Sequence, residues 1–160
     1  ELYAASQAGV PIKLIIRGIC CLRPQRKNLS ENITVRSVVG HFLEHARILY
    51  FHNNGNPKVY GGSADIMVRS FDRRIESLFL MIDEKVRQQV MHILDFNLRD
   101  NVNAYELLEN GNYQRVSTDG EAFDIHQKFF EVNENDIKNV VLFEETPVVV
   151  EEPSIEENVL

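Results

Sequence analysis

The sequence lacks the simplest marks of a membrane or secreted protein. It contains no uninterrupted run of about 18 apolar residues, which excludes a transmembrane helix, and its first residues do not follow the basic and then apolar pattern of a signal peptide. Its only cysteines, Cys20 and Cys21, are adjacent, so they cannot easily bridge each other, and they offer neither a disulfide framework nor a zinc-binding spacing. Two such thiols predict a reducing, cytoplasmic location.

The chain also lacks an initiator methionine. It begins at Glu1, and Leu2 and Tyr3 already read as the interior of a helix, so we expect a fragment whose upstream part is missing. Apolar residues make up 44% of the sequence and charged residues 26%, which is ordinary for a globular protein. At 160 residues the chain is long enough for one domain with a modest core but too short for two full ones.

Negative charge is concentrated at the end of the chain. Residues 133–160 hold eight acidic residues against Lys138, which accounts for the whole net charge of −7, and residues 1–132 are balanced. Within the balanced part, residues 13–74 carry eleven lysine and arginine residues and four acidic residues. Most of the eleven are arginine, whose guanidinium forms forked contacts with phosphate oxygens. The stretch is either an ordinary solvated surface or an anion-binding site, and composition leaves both open.

Apolar periodicity predicts an α/β protein, because a helix, a glycine and a buried strand follow one another at the start of the chain. The predicted elements are a helix over 1–8, strands over 10–16, 33–39, 45–51 and 58–61, a helix from Asp83, a hairpin over 104–116 and a helix over 119–131 capped by Asp119 that buries Phe123, Phe129 and Phe130. The turn over 53–57 makes 46–61 a hairpin. We expect one domain over 1–132 and a disordered acidic tail over 133–160. The tail has apolar runs within 140–150, so a peptide there that docks on the domain stays an alternative.

The residues that could carry chemistry lie at the two ends of this hairpin. His45 and Arg47 share one side of an extended chain, as do Ser63 and Asp65 after Gly61 and Gly62, so the hairpin can bring these polar groups together. Further polar groups follow at Arg69, Arg73 and Glu76. Imidazole, arginine and hydroxyl groups suit phosphoryl transfer. The alternative is structural, since a lone histidine beside a strand usually packs and Gly-Gly-Ser is a common turn. We assign the other histidines, His41, His52, His92 and His126, to the surface or to packing.

The spacing of these residues resembles the phospholipase D superfamily signature, His-x-Lys, then Gly-Ser-x-Asn, Arg-Ser and Glu. Here Arg47 stands in place of the lysine and Asp65 in place of the asparagine, and these departures point away from lipase activity. They point to the polyphosphate kinase branch, which the sequence resembles over residues 2–131. The similar runs are Ala5–Val10, Ile16–Pro24, Leu43–Ile48, Asn56–Asp65 and Arg73–Glu76.

The resemblance implies a phospholipase-D-like half, a mixed β-sheet flanked by helices, in an enzyme that reversibly transfers the terminal phosphate of ATP to inorganic polyphosphate. The transfer passes through a phosphohistidine in the upstream half. His45 would bind nucleotide phosphate and act as acid or base, and Arg17 would contact ATP. The further lining residues implied by motif position are Arg47, Ser63, Asp65, Arg69, Arg73 and Glu76. Mg²⁺ would accompany ATP, with ligands upstream, so no metal ligand is assigned here.

The implied partners are ATP or ADP, polyphosphate, the upstream half of the same enzyme and a second copy in a homo-oligomer, with membrane association limited to peripheral contact. The balanced charge of residues 1–132 argues against nucleic acid. Because one half-site is present, we expect the isolated fragment to be inactive. Two other functions stay open: a phosphodiesterase or nuclease half-site completed by dimerisation, and a non-catalytic polyanion-binding module.

Overall fold

The computed structural model describes residues 1–118, 120–133, 137 and 140–143, which form a mixed α/β fold of two sheets flanked by helices. The elements are α1 (Leu2–Gln7), β1 (Ile12–Ile15), β2 (Ile33–Val38), β3 (Ile48–Phe51), β4 (Lys58–Gly62), α2 (Val68–Arg73), β5 (Leu78–Leu80), α3 (Glu84–Arg99), β6 (Ala104–Leu107), β7 (Tyr113–Arg115) and α4 (Ile125–Glu131). The predicted fold class is therefore confirmed. In this part of the chain, no helix has both the length and the apolarity to cross a bilayer.

The larger sheet has the strand order β1-β2-β6-β7, with β1 parallel to β2 and the other neighbours antiparallel. Its apolar, β-branched central strand explains its position, because Ile33 and Val35 are fully buried and pack with Leu107 of β6. Tyr3 of α1 covers the same cluster. The carboxyl end of β1, which Arg17 follows, thus pairs with the central strand β2.

The smaller sheet is the antiparallel ladder β3-β4-β5, with Ile48 opposite Gly61 in β4. The turn between β3 and β4 matches the sequence prediction, since Asn53, Asn54 and Gly55 all have positive φ angles, which these residue types tolerate best. The hairpin carries the polar residues that follow β4 back toward the segment that precedes β3.

Helix α3 holds the two sheets together. Asp83 caps it by accepting a hydrogen bond from the Val86 amide at 2.9 Å. One part of the helix packs Met91 against Val59 of the smaller sheet, and another packs Phe96 against Val38 of the larger sheet. Because both clusters use buried apolar side chains of one helix, the relative position of the sheets is fixed by core packing.

Two predicted element boundaries and one prediction of burial are wrong. The third strand begins at Ile48 rather than at 45, so His45 lies in the irregular segment before it. Helix α4 begins at Ile125, capped by Asp124, whereas the predicted cap at 119 lies outside the described residues. Phe130 and Phe129 are exposed rather than buried, although Phe129 still stacks on Phe96. The short elements α2 and β5 were not predicted, because α2 has few apolar positions and the three residues of β5 are all exposed and show no alternation.

Most of the predicted tail over 133–160 lies outside the described residues, and the boundary at 132 stays a prediction. Within it, residues 140–143 pack on the domain. Leu142 is buried against Val59 and Met91, and its carbonyl accepts a hydrogen bond from Lys13 Nζ at 3.3 Å. Phe143 stacks on Tyr50 with ring centroids 5.9 Å apart. The alternative that part of this segment docks on the domain therefore holds for these four residues.

Because Leu142 fills part of a core cluster, we expect Leu142→Ala to lower the free energy of unfolding by about 2 kcal/mol. Chemical denaturation of the 160-residue chain measures this change. Val141→Ala is the matched control, since Val141 is 75% exposed, and it should change stability little. Equal stability of the two variants would show that the segment does not contribute to the core.

Candidate functional site

Arg17 connects the two sheets at the candidate site. It follows the end of β1, and its guanidinium donates a hydrogen bond to the backbone carbonyl of Glu44, 27 residues away. The backbone of Arg17 is held as well, because its carbonyl accepts a hydrogen bond from Ser37 Oγ at 3.3 Å. The larger sheet thus fixes an arginine against the residue that immediately precedes His45.

His45 lies in the segment that leads into β3, and its side chain is exposed. Its carbonyl accepts a hydrogen bond from Arg47 Nη1, and the Arg47 carbonyl accepts one from the Gly62 amide at 3.1 Å. The second contact continues the β3–β4 pairing one residue beyond the ladder. The backbone around His45 is therefore held while its imidazole faces outward.

Arg47, Asp65 and Arg69 form an ion-pair network at the base of this hairpin. Arg47 Nε lies 3.1 Å from Asp65 Oδ1, and Arg69 Nη2 lies 3.6 Å from Asp65 Oδ2. The sequence predicted that the hairpin brings Arg47 and Asp65 together, and the structure places them in direct contact. The hydrogen bond from Arg47 lowers the pKa of Asp65 below its usual value, and the charges of both arginines act in the same direction.

Ser63 and Glu76 form a second polar contact, in which the serine hydroxyl donates to Glu76 Oε2 and accepts from the Ser77 amide at 3.0 Å. The preceding glycine has a packing reason to be there, since a Cβ at Gly62 would lie 2.6 Å from the Ser77 carbonyl. These contacts seat the loop after β4 against the start of β5.

The remaining predicted lining residue, Arg73, is exposed at the end of α2. No contact within residues 1–118 or the other described positions joins it to the network around Asp65. The structure therefore places Arg17 and Arg47 on backbone carbonyls of the His45 segment and links Asp65 and Arg69 to it through Arg47. It sets Ser63 with Glu76 beside the same hairpin and leaves Arg73 apart.

Two residues that contact this segment, Glu44 and His126, were not predicted as part of the site. Glu44, treated only as part of a motif, accepts from Arg17 through its carbonyl and contacts His126 Nε2 through its carboxylate at 3.1 Å. His126 was assigned to surface or packing, and it is indeed buried, but it is also bonded to the neighbour of His45. The 82 residues between Glu44 and His126 give no local sequence signal for the contact.

The described residues do not provide a metal centre. No group of three His, Cys, Asp or Glu side chains in this part of the chain lies close enough together to hold an ion. The carboxylates nearest the site are already engaged, Asp65 with two arginines, Glu76 with Ser63 and Glu44 with His126. The arrangement instead suits the binding of anions. Each guanidinium has several N–H donors, and the donors that do not bond to a carbonyl or to Asp65 can bind phosphate oxygens.

We expect Arg47→Gln to raise the pKa of Asp65 toward the ordinary aspartate value, because the variant removes the strongest hydrogen bond to the carboxylate. A carboxyl-detected NMR titration of the 160-residue chain measures the change. Since the folded-state pKa of Asp65 is lowered, the pair stabilises the fold above about pH 4, and this contribution is lost as the pH falls through the folded-state pKa.

Arg99→Gln is the matched control for this titration, because Arg99 pairs with Asp95 at 3.3 Å on α3 and does not contact Asp65. It should leave the Asp65 titration unchanged. An Asp65 pKa that is the same in Arg47→Gln and in the unsubstituted chain would contradict the network.

Known proteins are similar to this chain in both sequence and fold. Residues 1–127 match the family model described as polyphosphate kinase C-terminal domain 2. A polyphosphate kinase of Bacillus anthracis is 47% identical over 133 residues, 82% of this chain and 19% of the relative, and one of Synechocystis is 54% identical over 112 residues, 70% and 15%. The crystal structure of polyphosphate kinase from Porphyromonas gingivalis superimposes with a TM-score of 0.77 at 39% identity, covering 81% of this chain and 20% of that chain.

This chain spans a fifth or less of the length of these relatives. The residues that match the family model, 1–127, include both sheets and every residue of the candidate site. The chain belongs to the polyphosphate kinase family, whose C-terminal domain 2 it carries.

Proposed function

We propose that this chain supplies one half of the active site of a polyphosphate kinase, an enzyme that reversibly transfers the terminal phosphate of ATP to inorganic polyphosphate. The observation that carries the proposal is the contact of Arg17 with the Glu44 carbonyl, because it sets an arginine of one sheet against the residue next to His45, whose side chain is exposed at the edge of the other sheet. An exposed imidazole next to a fixed guanidinium is suited to a reacting phosphate.

In the proposed reaction, the bond between the terminal phosphorus of ATP and the oxygen that leaves with ADP breaks, while a phosphorus–nitrogen bond forms on a histidine of the upstream half. That bond then breaks as the terminal oxygen of polyphosphate attacks. His45 would donate a proton to the departing oxygen and accept it in the reverse direction, since the ordinary imidazole pKa lies near neutrality. Arg17 would bind the nucleotide phosphates.

The basic stretch over 13–74 supports a polyanionic substrate. The guanidinium groups of Arg47 and Arg69 share one carboxylate, so this network keeps a net positive charge beside His45. We assign Arg47 and Arg69 to the lining of the phosphate path, with Asp65 holding them in place. Ser63, Arg73 and Glu76 belong to the same proposed lining by motif position, with Ser63 and Glu76 fixing each other.

The described part of the chain does not fit a magnesium site, because its carboxylates near His45 are engaged by arginines, by Ser63 or by His126. We therefore propose that Mg²⁺ enters with ATP and takes its protein ligands from the upstream half. The proposed partners are ATP or ADP, polyphosphate, that upstream half and a second copy of the enzyme, with no nucleic acid and at most a peripheral membrane contact. The proposed location is the cytoplasm.

To test the proposal, this chain replaces the matching segment of the Bacillus anthracis relative, and polyphosphate synthesis from labelled ATP is measured. We expect His45→Ala to lower kcat by about 10²- to 10⁴-fold, because it removes the acid and base, and Arg17→Ala to lower kcat/KM by about 10²-fold. His52→Ala is the matched control, since His52 lies in the β3–β4 turn, away from Arg17, and it should keep activity. Wild-type turnover in both site variants would overturn the proposal.

The isolated 160-residue chain should make no polyphosphate from ATP, because the phosphohistidine would lie on the upstream half. Incubation with labelled ATP and polyphosphate, followed by gel separation of the polymer, measures this. Robust synthesis by the chain alone would contradict the half-site. A polyanion-binding module is the correct function if three results occur together. The chain binds polyphosphate, the His45→Ala variant binds it equally well, and addition of the upstream half restores no activity.

A further inference from the structure

We propose that His126 is a positioning residue for His45, which it holds through the side chain of Glu44. The inference rests on the proposed function, because it assigns His126 a task in the same half-site. His126 does not reach the exposed face of the site itself. Its imidazole is only 4% exposed, and its Nε2 lies 3.1 Å from Glu44 Oε1.

The contact completes a set of restraints on the backbone on both sides of His45. Arg17 holds the Glu44 carbonyl from the larger sheet, and Arg47 holds the His45 carbonyl from within the hairpin. Neither restrains the Glu44 side chain, which is the part that His126 binds. Segments with few contacts move on short timescales, so each added restraint narrows the positions that the neighbouring imidazole can sample.

His126 is itself rigidly mounted. Its amide donates to the Asp124 carboxylate at 2.9 Å in the cap of α4, and the preceding Ile125 amide donates to Asp100 Oδ2 at 2.9 Å. Asp100 is fully buried at the end of α3. The ring of Phe42 meets the imidazole edge to face at 5.3 Å. His126 therefore links the start of α4 and the end of α3 to the loop that carries Glu44.

The hydrogen-bond partners of the His126 ring indicate that its Nε2 donates to Glu44. Nδ1 of His126 is buried and has no hydrogen-bond partner among the described residues, whereas Nε2 faces a carboxylate, which only accepts. The neutral tautomer with its proton on Nε2 satisfies the carboxylate and leaves only a lone pair unpaired. The other tautomer would bury an unpaired N–H and set two acceptors against each other. We assign the Nε2–H tautomer on this network.

Gly40 explains why the ring can occupy this place. A Cβ at Gly40 would lie 2.5 Å from His126 Nδ1 and 2.6 Å from Cε1, closer than packed atoms approach. The backbone of residue 40 therefore forms the wall against which the imidazole rests. Gly40→Ala should displace the ring from its present position without removing any polar group, which gives a second and chemically independent way to disturb the contact with Glu44.

The first experiment uses the 160-residue chain and measures backbone ¹⁵N order parameters. We expect His126→Phe, which keeps a ring but loses the donor, to lower the values at residues 44 and 45 from about 0.85 toward 0.6, and Gly40→Ala to do the same. His126→Gln keeps an N–H donor and should restore most of the loss. His92→Phe is the matched control, because His92 packs its ring on Phe96 of α3, and it should leave residues 44 and 45 unchanged.

The second experiment measures catalysis in the chimeric full-length enzyme. We expect His126→Phe to lower kcat about 10-fold with a change of less than 2-fold in the KM for ATP, and His126→Gln to recover most of kcat. Glu44→Ala should lower kcat similarly, and the double variant should be no worse than either single one, because both remove one contact. A purely structural role would instead lower thermal stability and leave no such rescue or non-additivity.

The two measurements separate the inference from the function on which it rests. Unchanged order parameters at residues 44 and 45 in both His126→Phe and Gly40→Ala would overturn the positioning role whatever the activity. Lowered order parameters with wild-type kcat would overturn its importance for catalysis. If the unsubstituted chimera makes no polyphosphate although the unaltered relative does, the proposed function fails, while the NMR result still decides whether His126 orders the His45 segment.

Discussion

The hydrogen bond from the Arg17 guanidinium to the Glu44 carbonyl is the constraint on which the proposed site depends. The two sheets are separate ladders, and their strands share no register. Core packing through α3 sets their relative position, but it acts on the side of the smaller sheet where Val59 and Met91 meet. At the site it is one charged side chain on a main-chain oxygen that brings the end of β1 to the start of β3. A charge-assisted bond of this kind is stronger than a neutral one and is directional, so it fixes distance as well as orientation.

Near this contact, one carboxylate orients two arginines. Asp65 receives two guanidinium groups, so it orients both while cancelling only one of their charges. A lowered carboxyl pKa keeps this anchor ionised across the physiological range. Ser63 and Glu76 satisfy each other and the backbone of Ser77. The result is a rim that stays cationic without isolated charges in the interior, where they would cost most.

Much of this could be predicted from the sequence, and the pattern of success has a physical basis. Strands β1, β2 and β4 and helix α3 were predicted because their apolar residues recur with clear periods, and the β3–β4 turn because Asn-Asn-Gly tolerates positive φ. The pairing of Arg47 with Asp65 followed from hairpin geometry. The start of β3 was wrong because His45 and Arg47 bond locally to each other, an alternative to strand pairing that periodicity does not reveal. The contact between Glu44 and His126 joins residues far apart in sequence, so only tertiary packing could show it.

The four residues at 140–143 also limit where the rest of the chain can go. Phe143 is pinned between Tyr50 and Lys13, whose Nζ lies 4.7 Å from the centre of the Phe143 ring. The seventeen residues after it carry six carboxylates and no basic side chain. Even fully extended they reach about 60 Å from this anchor. The attachment point of a fluorophore, an affinity tag or a fused protein at Leu160 would therefore stay within that distance of Phe143.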